Sequence, residues 1–479
     1  MECSKRLLTA TRPVWRYDHE SGLSMHADFA VLGAGAAGMM TALLAARRGM
    51  QVVIIDPHFS APNNLFISGG LFPAAGSRLQ GDAGGADTPQ AWLEDLHAFA
   101  GDSVNSRIAA AVADALPALV DFLIDECAAP IRFLADVPAP GHRVARFHSV
   151  EPASGRSLHA WLRQAMANQR SIRCVADRPL QSVDRLGQGF AVNFSHAGGS
   201  VQSLQAKFMM LAGGGFGGNA NLVAQHIPAM RGALHSGAAS NDGSVLTLAA
   251  QWGAAFAGMD GYQGQGHTNP GGSTRLGMSL PLLGAVLVNR GGQRFVREDI
   301  GPSALAAHVL VQPGQMALEI FDAEVERQLN NHSAYQDARA AGRVLAAASI
   351  EELAQLSGVP FAPLDQTLRE CARHAGAAAA HDADLLGRAH FARALQPPYR
   401  ASWVTGALAH TQGGVMTDAS ARVLSQSGAV IPALYAAGGT AAGLSGHGGA
   451  GYLPGNGLAQ SFGLAWLAVQ SIQAVTAAE

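Results

Sequence analysis

The chain has 479 residues, of which 48% are hydrophobic and 14% are charged, a composition that excludes a largely disordered protein and leaves room for two or three packed domains. Its formal net charge of −3 gives no bulk attraction to nucleic acid or to an anionic membrane. The four cysteines form neither a CxxC pair nor metal-ligand spacing, and no apolar stretch reaches signal-peptide or membrane-spanning length, so we expect no metal site and a cytoplasmic location.

Residues 1–27 are predicted to form an irregular arm, which is followed by a strand, a glycine-rich turn, a helix and a second strand. The first apolar run, residues 29–32, enters the turn GAGAAG at 33–38, and the second run, residues 51–55, ends at Asp56. The first glycine permits the tight turn, the second lets the backbone approach a pyrophosphate, and the third allows close packing of helix on strand. Asp56 lies 18 positions beyond the third glycine, near the spacing of an acid that binds a ribose. The unit predicts a bound dinucleotide, with contacts from Gly33, Gly35, Ala36, Ala37, Gly38 and Asp56.

Segments of similar character recur along the chain. The small residues Ser68, Gly69 and Gly70 suit a backbone that lies against a flat ligand. A strand predicted at 207–211 ends in a second glycine-rich turn, and a helix predicted at 244–251 follows the sequence NDG. Two glycine turns about 180 residues apart point to a larger dinucleotide held by a discontinuous domain. The predicted contacts in these segments are Ala212, Gly213, Gly214, Asn241 and Asp242.

The composition changes near residue 258 and changes back near residue 401. We expect a nucleotide-binding domain formed by residues 28–258 and 401–479, with a second domain of mixed strands and helices, residues 259–400, inserted between them. A hairpin is predicted at 410–424, and a strand within 433–443 ends in a third glycine turn with Gly438 and Gly439. A final helix begins near Asn456, Gly457 and Leu458, and its unpaired backbone N–H groups would face the anionic edge of a reduced flavin.

These segments together resemble the flavoprotein family of soluble fumarate reductases, succinate dehydrogenase flavoprotein subunits, urocanate reductase and 3-ketosteroid dehydrogenases. The resemblance covers residues 28–475 and rests on a shared order of motifs: GAGAAG with its acid, SGG at 68–70, MLAGGGFGGN at 210–219, NDG at 241–243, VNRGGQRFVRE at 288–298, HTQGG at 410–414, LYAAGG at 434–439 and LPGNGLAQSFG at 453–463. It implies FAD as the cofactor, an α/β fold with a discontinuous Rossmann-like FAD-binding domain, and an inserted α+β capping domain. We also expect a small-molecule substrate and an electron acceptor that the sequence does not identify.

Departures from the family pattern change what the resemblance implies. Members with covalently attached flavin have a histidine shortly before the SGG segment, where this chain has Asn63-Asn64, so we expect noncovalent FAD. Gly439 stands where an acid or an asparagine often holds the ribityl chain. The Thr-Glu pair of the dicarboxylate enzymes falls on residues 277–281, and their arginines fall near Pro302 and on Tyr452. Without a cationic clamp a dicarboxylate lacks its charge-assisted contacts, so we do not expect fumarate or succinate as the substrate.

We expect a dehydrogenase that desaturates the α,β carbon pair of a ketone or related carbonyl compound, as ketosteroid dehydrogenases do. Hydrogen-bond donors would polarise the carbonyl, a base would take the α-proton, and flavin N5 would take the β-hydride. Tyr452, beside the turn that faces the flavin, is the first candidate for these roles, followed by His267, His410 and Tyr262. His447, in a glycine-rich loop, is a further candidate.

Two alternatives stay open at this point. A reductase of an activated alkene acid, similar to urocanate or fumarate reductase, would need Arg275 or an arginine of residues 294–297 to bind the carboxylate. A non-catalytic redox module would bind FAD and react with neither class of substrate.

Overall fold

The computed structural model describes residues 25–476 apart from residues 102–104, 138–140, 196–199, 273, 278, 331–332, 376–385, 389–390 and 392. The arm predicted at residues 1–27 lies outside the described residues except for its last three positions, which belong to the first strand. In the described part of the chain, no helix is long and apolar enough to cross a membrane.

The strands are, in chain order, β1 (Met25–Leu32), β2 (Val52–Asp56), β3 (Phe72–Pro73), β4 (Ile131–Phe133), β5 (Phe147–Val150), β6 (Ile172–Ala176), β7 (Leu180–Leu186), β8 (Gly189–Ser195), β9 (Val201–Leu211), β10 (Leu234–His235), β11 (Phe256–Ala257), β12 (Tyr262–Thr268), β13 (Val286–Val288), β14 (Ala317–Asp322), β15 (Leu345–Ala347), β16 (Tyr399–Thr411), β17 (Gly414–Val415), β18 (Arg422–Leu424) and β19 (Val430–Ala436).

The helices are α1 (Ala36–Arg47), α2 (Asn64–Ile67), α3 (Arg78–Asp82), α4 (Pro89–Ala100), α5 (Ser106–Asp125), α6 (Gly155–Ala167), α7 (Ala220–His226), α8 (Ser244–Gln251), α9 (Pro302–Leu310), α10 (Ala323–Leu329), α11 (Ser333–Ala340), α12 (Ile350–Ser357), α13 (Phe361–His374) and α14 (Asn456–Thr476). A short 3-10 turn, Gly438–Thr440, follows β19.

An eight-stranded sheet forms the larger layer of the molecule. Its order is β18-β19-β9-β1-β2-β6, and the hairpin of β7 and β8 extends β9 at one edge. The strands β19, β9, β1, β2 and β6 run parallel, and the residues of β1 from Phe29 to Leu32 are at most 3% exposed, as expected of a strand covered on both faces. Helix α14 packs against α1 and α5.

A six-stranded sheet forms a second layer around β16, which has 13 residues and pairs with β10, β12, β14 and β15. The hairpin predicted within residues 410–424 forms at residues 416–424, where Thr417 lies opposite Val423 in an antiparallel bridge and the N–H of Leu424 donates to the carbonyl oxygen of Met416 at 2.9 Å. His410 precedes this hairpin and lies inside the long strand β16. Strand β17 pairs with β11 rather than with β18, which pairs with β19. His410 is therefore held by a strand ladder.

The second sheet extends beyond the segment expected for the inserted domain. Its strand β10 precedes residue 258, and the expected boundary between residues 400 and 401 falls within β16. A ladder of hydrogen bonds crosses that position. We therefore propose that the second layer ends after residue 411 and that residues 234–235 also belong to its sheet.

Candidate active site

The three glycine-rich turns lie at one edge of the eight-stranded sheet, because the parallel strands that precede them end in register. Leu32, at the end of β1, pairs with Ile55 of β2 and with Leu211 of β9. Leu211 also pairs with Ala436, at the end of β19. The chain leaves β1 toward β2 on one side while β9 lies on the other, so this edge holds the topological switch point at which α/β sheets bind ligands.

The first turn has the two packed glycines and the open glycine that the sequence predicted. A Cβ atom at Gly33, whose φ is +107°, would lie 2.3 Å from the carbonyl oxygen of Ala212. A Cβ atom at Gly38 would lie 1.9 Å from the carbonyl oxygen of Gly33, whereas one at Gly35 would meet no atom within 4 Å. Helix α1 begins beside that open cradle with no capping side chain, which fits a pyrophosphate at its N-terminus. Ala36 and Ala37 form the first turn of α1.

Asp56 lies at the end of β2, next to the first turn. Its Oδ2 accepts a hydrogen bond of 2.6 Å from the backbone N–H of Ala34, and its Oδ1 accepts one of 2.7 Å from the backbone N–H of His58. Each carboxylate oxygen has a further lone pair, so the two backbone contacts orient the group without using its whole capacity. Binding of ribose hydroxyls by Asp56 stays a prediction that this orientation supports.

Protein contacts shape the second turn. A Cβ atom at Gly213 would lie 2.3 Å from a valine of α8, and one at Gly214 would lie 2.0 Å from Oδ1 of Asn241. Asn241 is 8% exposed, whereas Asp242 is exposed and accepts a hydrogen bond of 2.9 Å from the N–H of Ser244 at the start of α8. Packing alone explains both glycines, and the FAD contacts of this turn and of Ala212 stay predictions.

The third turn joins the other two. Gly438 has φ +65°, and a Cβ atom there would lie 3.0 Å from the Cβ atom of Ala37 in α1. A Cβ atom at Gly439 would lie 3.0 Å from the backbone nitrogen of Gly215 in the second turn. Gln460 of α14 donates a hydrogen bond of 3.0 Å to the carbonyl oxygen of Gly438. The three turns and helix α14 thus lie against one another in one contiguous region.

The segment Ser68 to Gly70 is compact. The Oγ atom of Ser68 accepts a hydrogen bond of 3.0 Å from the N–H of Gly70, and a Cβ atom at Gly70 would lie 2.4 Å from the backbone of Ser154. Gly69 is exposed, and a Cβ atom there would meet its nearest neighbour, a leucine side chain, at 3.8 Å. Of these positions, Gly69 leaves the most room for a ligand.

The two asparagines at the expected attachment position have structural partners. Asn63 caps α2 and donates a hydrogen bond of 3.0 Å to the carbonyl oxygen of Ala34, beside the first turn. Asn64 accepts a hydrogen bond of 2.7 Å from the N–H of Ala238. An amide is not a nucleophile toward the flavin ring, so these contacts support the prediction that FAD is held noncovalently.

The start of α14 carries an unpartnered polar group. Asn456 is 0% exposed, and its Nδ2 donates to the Oγ atom of Ser445 at 3.3 Å, while its Oδ1 has no partner among the described residues. Gly457 and Leu458 follow in the first turn, whose N–H groups and positive dipole end suit an anionic ligand edge. Buried acceptors are rarely left unpaired, so Asn456 fits a position beside a bound group with a donor.

Tyr452 and His410 meet in front of this helix end. Their ring centroids are 5.3 Å apart at an interplanar angle of 80°. A Cβ atom at Gly457 would lie 3.5 Å from Nε2 of His410 and 3.8 Å from the hydroxyl oxygen of Tyr452. Glycine at 457 therefore keeps a gap open between the histidine ring, the tyrosine hydroxyl and the first turn of α14.

Both rings are uncharged at neutral pH. They are partly accessible although protein surrounds them, which places them in a cleft. Burial lowers the pKa of His410, so the ring stays neutral, and burial raises the pKa of Tyr452 to about 12, so the hydroxyl keeps its proton. The N–H of Gly457 donates toward the tyrosine oxygen and opposes part of that rise in pKa. The cleft therefore offers neutral hydrogen-bond donors.

The sequence analysis did not identify Gln412, which contacts His410 directly. Its Nε2 atom lies 2.9 Å from Nδ1 of His410, and the side chain is 5% exposed. Residues two apart at a strand end lie on the same face of the sheet. The spacing of His410 and Gln412 in HTQGG would therefore have indicated their contact if the strand had been known to reach Thr411.

The other two catalytic candidates lie on β12 and are not in contact with this pair. His267 is 1% exposed, and its Nδ1 lies 2.9 Å from Glu319, which is 0% exposed. Its place in the ladder is about four residues along β16 from His410, or roughly 13 Å. Tyr262 pairs with Thr411, and strand alternation puts its side chain on the opposite face from His410. Burial raises the pKa of Tyr262 to about 12.

The cations required by the reductase alternative differ in their partners. Arg294 forms an ion pair of 2.7 Å with Glu298, and Arg297 forms one of 2.8 Å with Asp299. Arg275 is exposed, lies opposite Thr268 in a β-bridge, and has no acid within ion-pair distance in the described part of the chain. His447 is exposed, and its Nδ1 lies 2.8 Å from Oδ1 of Asp260. Arg275 is thus the arginine of this set with a charge left for a ligand.

Within the described ranges, no group of three or more histidine, cysteine or acidic side chains could hold a metal ion.

The fold and the turns define the class of protein. The chain belongs to the family described as FAD binding domain, whose model matches residues 28–458. FAD is its cofactor, and the open cradle at Gly35, the uncapped start of α1 and the unpartnered Asn456 fit that group.

The chain is 28% identical to "Probable fumarate reductase Ifc3" of Shewanella frigidimarina (strain NCIMB 400), in an alignment that covers 89% of this chain and 72% of the relative. It is 26% identical to a 3-oxosteroid 1-dehydrogenase of Mycobacterium tuberculosis (strain ATCC 25618 / H37Rv), covering 88% of this chain and 94% of the relative. The solved open conformation of a flavocytochrome c3 fumarate reductase matches with a TM-score of 0.79 at 26% identity, covering 94% of this chain and 78% of that chain.

These findings confirm the α/β fold class, the FAD cofactor and the recognised family. The protein is an FAD-dependent oxidoreductase that acts on CH–CH groups, with a small-molecule substrate. They do not support the alternative of a non-catalytic flavin module, since the relatives named above are enzymes.

Proposed function

We propose that the protein desaturates the α,β carbon pair of a ketone or related carbonyl compound. The observation that carries the proposal is the cleft in front of α14, where the hydroxyl of Tyr452, the ring of His410 and the first turn of the helix meet around the gap at Gly457. Each of these groups is neutral, and each can donate a hydrogen bond. Water in this partly accessible cleft takes the α-proton, and the negative charge that the carbonyl oxygen gains as the proton leaves is stabilised by such preorganised donors.

The protein groups act on the carbonyl end of the substrate. The Tyr452 hydroxyl keeps its proton up to a pH of about 12 and so polarises the carbonyl as a donor at neutral pH. His410 stays neutral because burial disfavours the imidazolium, and its Nε2 faces the same gap. The dipole of α14 adds a positive end at the same place. FAD, when bound, supplies hydride acceptance at the carbon next to the acidified one.

Charge favours a carbonyl compound over a dicarboxylate in this cleft. The resemblance of the sequence motifs implies that Tyr452 stands where the dicarboxylate enzymes have an arginine, so that a single neutral donor would replace the bidentate contact of that arginine. Arg294 and Arg297, which could have replaced it, pair with Glu298 and Asp299. A single neutral donor suits one carbonyl oxygen.

A second candidate function keeps support from Arg275 and from the fumarate reductase relatives. A reductase of an activated alkene acid would use this exposed arginine for one carboxylate and run hydride transfer in the opposite direction. The proposed reaction and this one differ in which substrate changes the colour of the flavin.

The test is anaerobic mixing of the purified FAD-loaded protein with cyclic ketones, steroids and short saturated acids, followed by flavin absorbance. We expect bleaching by at least one saturated ketone or steroid and none by the saturated acids. Bleaching by the acids alone would overturn the proposal.

A further inference from the structure

One ring nitrogen of His410 has two competing hydrogen-bond partners, one on a side chain and one on the backbone. Nδ1 lies 2.9 Å from Nε2 of Gln412 and 3.3 Å from the carbonyl oxygen of Thr411. A neutral imidazole carries one N–H, so Nδ1 either accepts from the amide of Gln412 or donates to the carbonyl, but not both. The two partners favour opposite tautomers of the ring.

The shorter contact belongs to Gln412, whose backbone is held in place by two hydrogen bonds. Its backbone N–H donates to the carbonyl oxygen of Gly261 at 2.8 Å, and its carbonyl oxygen accepts from the N–H of Gly443 at 2.7 Å. The amide is 5% exposed and lies against Gly443, where a Cβ atom would be 2.5 Å from Oε1. Oε1 has no hydrogen-bond partner among the described residues, and Nε2 is the amide atom that faces Nδ1. In this orientation the amide donates to Nδ1 and leaves the proton of the ring on Nε2.

The tautomer matters because Nε2 is the nitrogen that faces the gap at Gly457. It lies 3.5 Å from the position of a Cβ atom there, and the Tyr452 hydroxyl lies 3.8 Å from the same point. With the proton on Nε2, the ring and the tyrosine present two donors to one acceptor. With the proton on Nδ1, the lone pair of Nε2 would face the acceptor and repel it.

We propose that Gln412 is a positioning residue that holds His410 as its Nε2–H tautomer, so that the ring donates to the substrate carbonyl beside Tyr452. The catalytic consequence rests on the proposed function. The tautomer itself does not, because it follows from contacts within the protein.

The first experiment reads the tautomer in the FAD-loaded protein labelled with ¹⁵N-histidine, with the His410 signals assigned from a His410→Asn variant. The Nδ1 and Nε2 resonances of a neutral ring report which nitrogen carries the proton. We expect Nε2–H in the wild type and a shift toward Nδ1–H in Gln412→Leu, since the carbonyl of Thr411 then has no competitor. Nδ1–H in the wild type, which would mean that Oε1 of Gln412 faces the ring, or an unchanged tautomer in Gln412→Leu, would overturn the proposal.

The matched control is Gln263→Leu. Gln263 lies directly opposite His410 in the register of β12 and β16, and among the described residues it makes no side-chain hydrogen bond with His410. We expect the Nε2–H signal to persist in this variant. Conversion to Nδ1–H in it as well would show that any change beside the ring moves the proton, and would contradict a specific role for Gln412.

The second experiment uses Gln412→Glu and the pH dependence of flavin reduction. A carboxylate at 412 accepts a hydrogen bond from Nδ1–H and raises the pKa of the ring, so Nε2–H persists only while the ring is an imidazolium. Of the groups in contact with His410 in the described residues, Tyr452 is the other titratable one, and its pKa is about 12. We therefore expect the rate of Gln412→Glu to fall as the pH rises through the raised pKa of the ring, whereas the wild-type rate shows no such step.

For Gln412→Leu we expect flavin reduction to slow by roughly 10- to 100-fold at unchanged FAD content. The upper end of this range is the rate loss expected when one hydrogen-bond donor to an oxyanion is removed. A flat pH profile in Gln412→Glu with wild-type rate would contradict the positioning role. If the tautomer shifts as described while no ketone reduces the flavin, the role of Gln412 stands and the proposed function fails, so the two failures are distinguishable.

Discussion

Replacement of Tyr452 by phenylalanine isolates the contribution of a single hydroxyl to the reaction. The ring contact with His410, at 5.3 Å and 80°, and the side-chain volume are retained, so the variant changes one donor and little packing. Loss of one donor from an oxyanion site costs about 2.7–4 kcal/mol, or roughly 100- to 1,000-fold in rate. The N–H of Gly457, which donates toward the tyrosine oxygen, becomes available to the substrate in the variant and offsets part of the loss. We therefore expect a decrease nearer the lower end of that range.

The assay is anaerobic stopped-flow reduction of the flavin by the ketone that bleaches the wild type fastest. FAD content, from the absorbance of the purified protein, and the thermal unfolding temperature should match the wild type. The control is Tyr335→Phe, which removes another buried tyrosine hydroxyl. That hydroxyl donates a hydrogen bond of 2.7 Å to Glu326 and does not belong to the cleft. An unchanged rate in Tyr452→Phe, or an equal decrease in Tyr335→Phe, would refute the role of Tyr452.

Three further variants test the cofactor site, the substrate charge and the pH dependence of stability. Gly35→Ala should keep the fold, because its methyl group meets no protein atom within 4 Å, yet weaken FAD binding roughly 10- to 100-fold by filling the cradle, a cost of ~1–3 kcal/mol. Fluorescence titration of the apoprotein measures this, and wild-type affinity would contradict the placement of the pyrophosphate. Arg275→Gln should leave flavin reduction by a ketone unchanged in the stopped-flow assay, and a loss of tenfold or more would instead favour the carboxylate-binding alternative. His148 donates a hydrogen bond from Nδ1 to the carbonyl of Arg146 and accepts one at Nε2 from Ser77. Burial lowers its pKa to about 4. The folded state therefore keeps the ring neutral at a pH near 6.5, where the unfolded chain takes up a proton. The free energy of unfolding should therefore fall as the pH is lowered from about 6.5 to 4, by at most ~3 kcal/mol, and His148→Phe should lose this component in urea titrations at the two pH values. The same pH dependence in the variant would show that another group titrates.

The parts of the fold that are set by local sequence were predictable. The turn at 33–38 needs glycine for contacts within a few residues, such as the 1.9 Å approach of a Cβ atom at Gly38 to Gly33. A helix follows it as expected, and the strand expected at residues 51–55 is observed at Val52–Asp56. The helix at 244–251 was predicted with the observed bounds because the turn before it and the apolar spacing within it are local signals.

Strand β16 could not be predicted in the same way. Its partners β10, β12, β14 and β15 come from four separate parts of the chain, so the ladder that makes it a strand is visible only in the tertiary structure. The hairpin predicted within residues 410–424 is present at residues 416–424, but the sequence did not indicate that the preceding strand reaches Thr411. Gln412 was missed for this reason, because its contact with His410 depends on that strand end.

The candidate site was partly predictable for the same reason. Tyr452 was chosen from its place beside the final helix, and the structure brings it to His410. His267 was chosen from a polar loop sequence, but the structure pairs it with Glu319 from β14, a residue 52 positions away that no local pattern connects to it. Tyr262 and His267 stay candidates from sequence, and the contacts of His267 favour a structural role.

The most direct test of the account compares the two directions of reaction in one preparation. Oxidised enzyme is mixed anaerobically with a saturated ketone, and photoreduced enzyme is mixed with an α,β-unsaturated acid such as fumarate or urocanate, while flavin absorbance reports both rates. A neutral cleft around Tyr452 and His410 predicts rapid bleaching by the ketone and slow reoxidation by the acid. Rapid reoxidation by the acid, with no bleaching by any ketone, would contradict it.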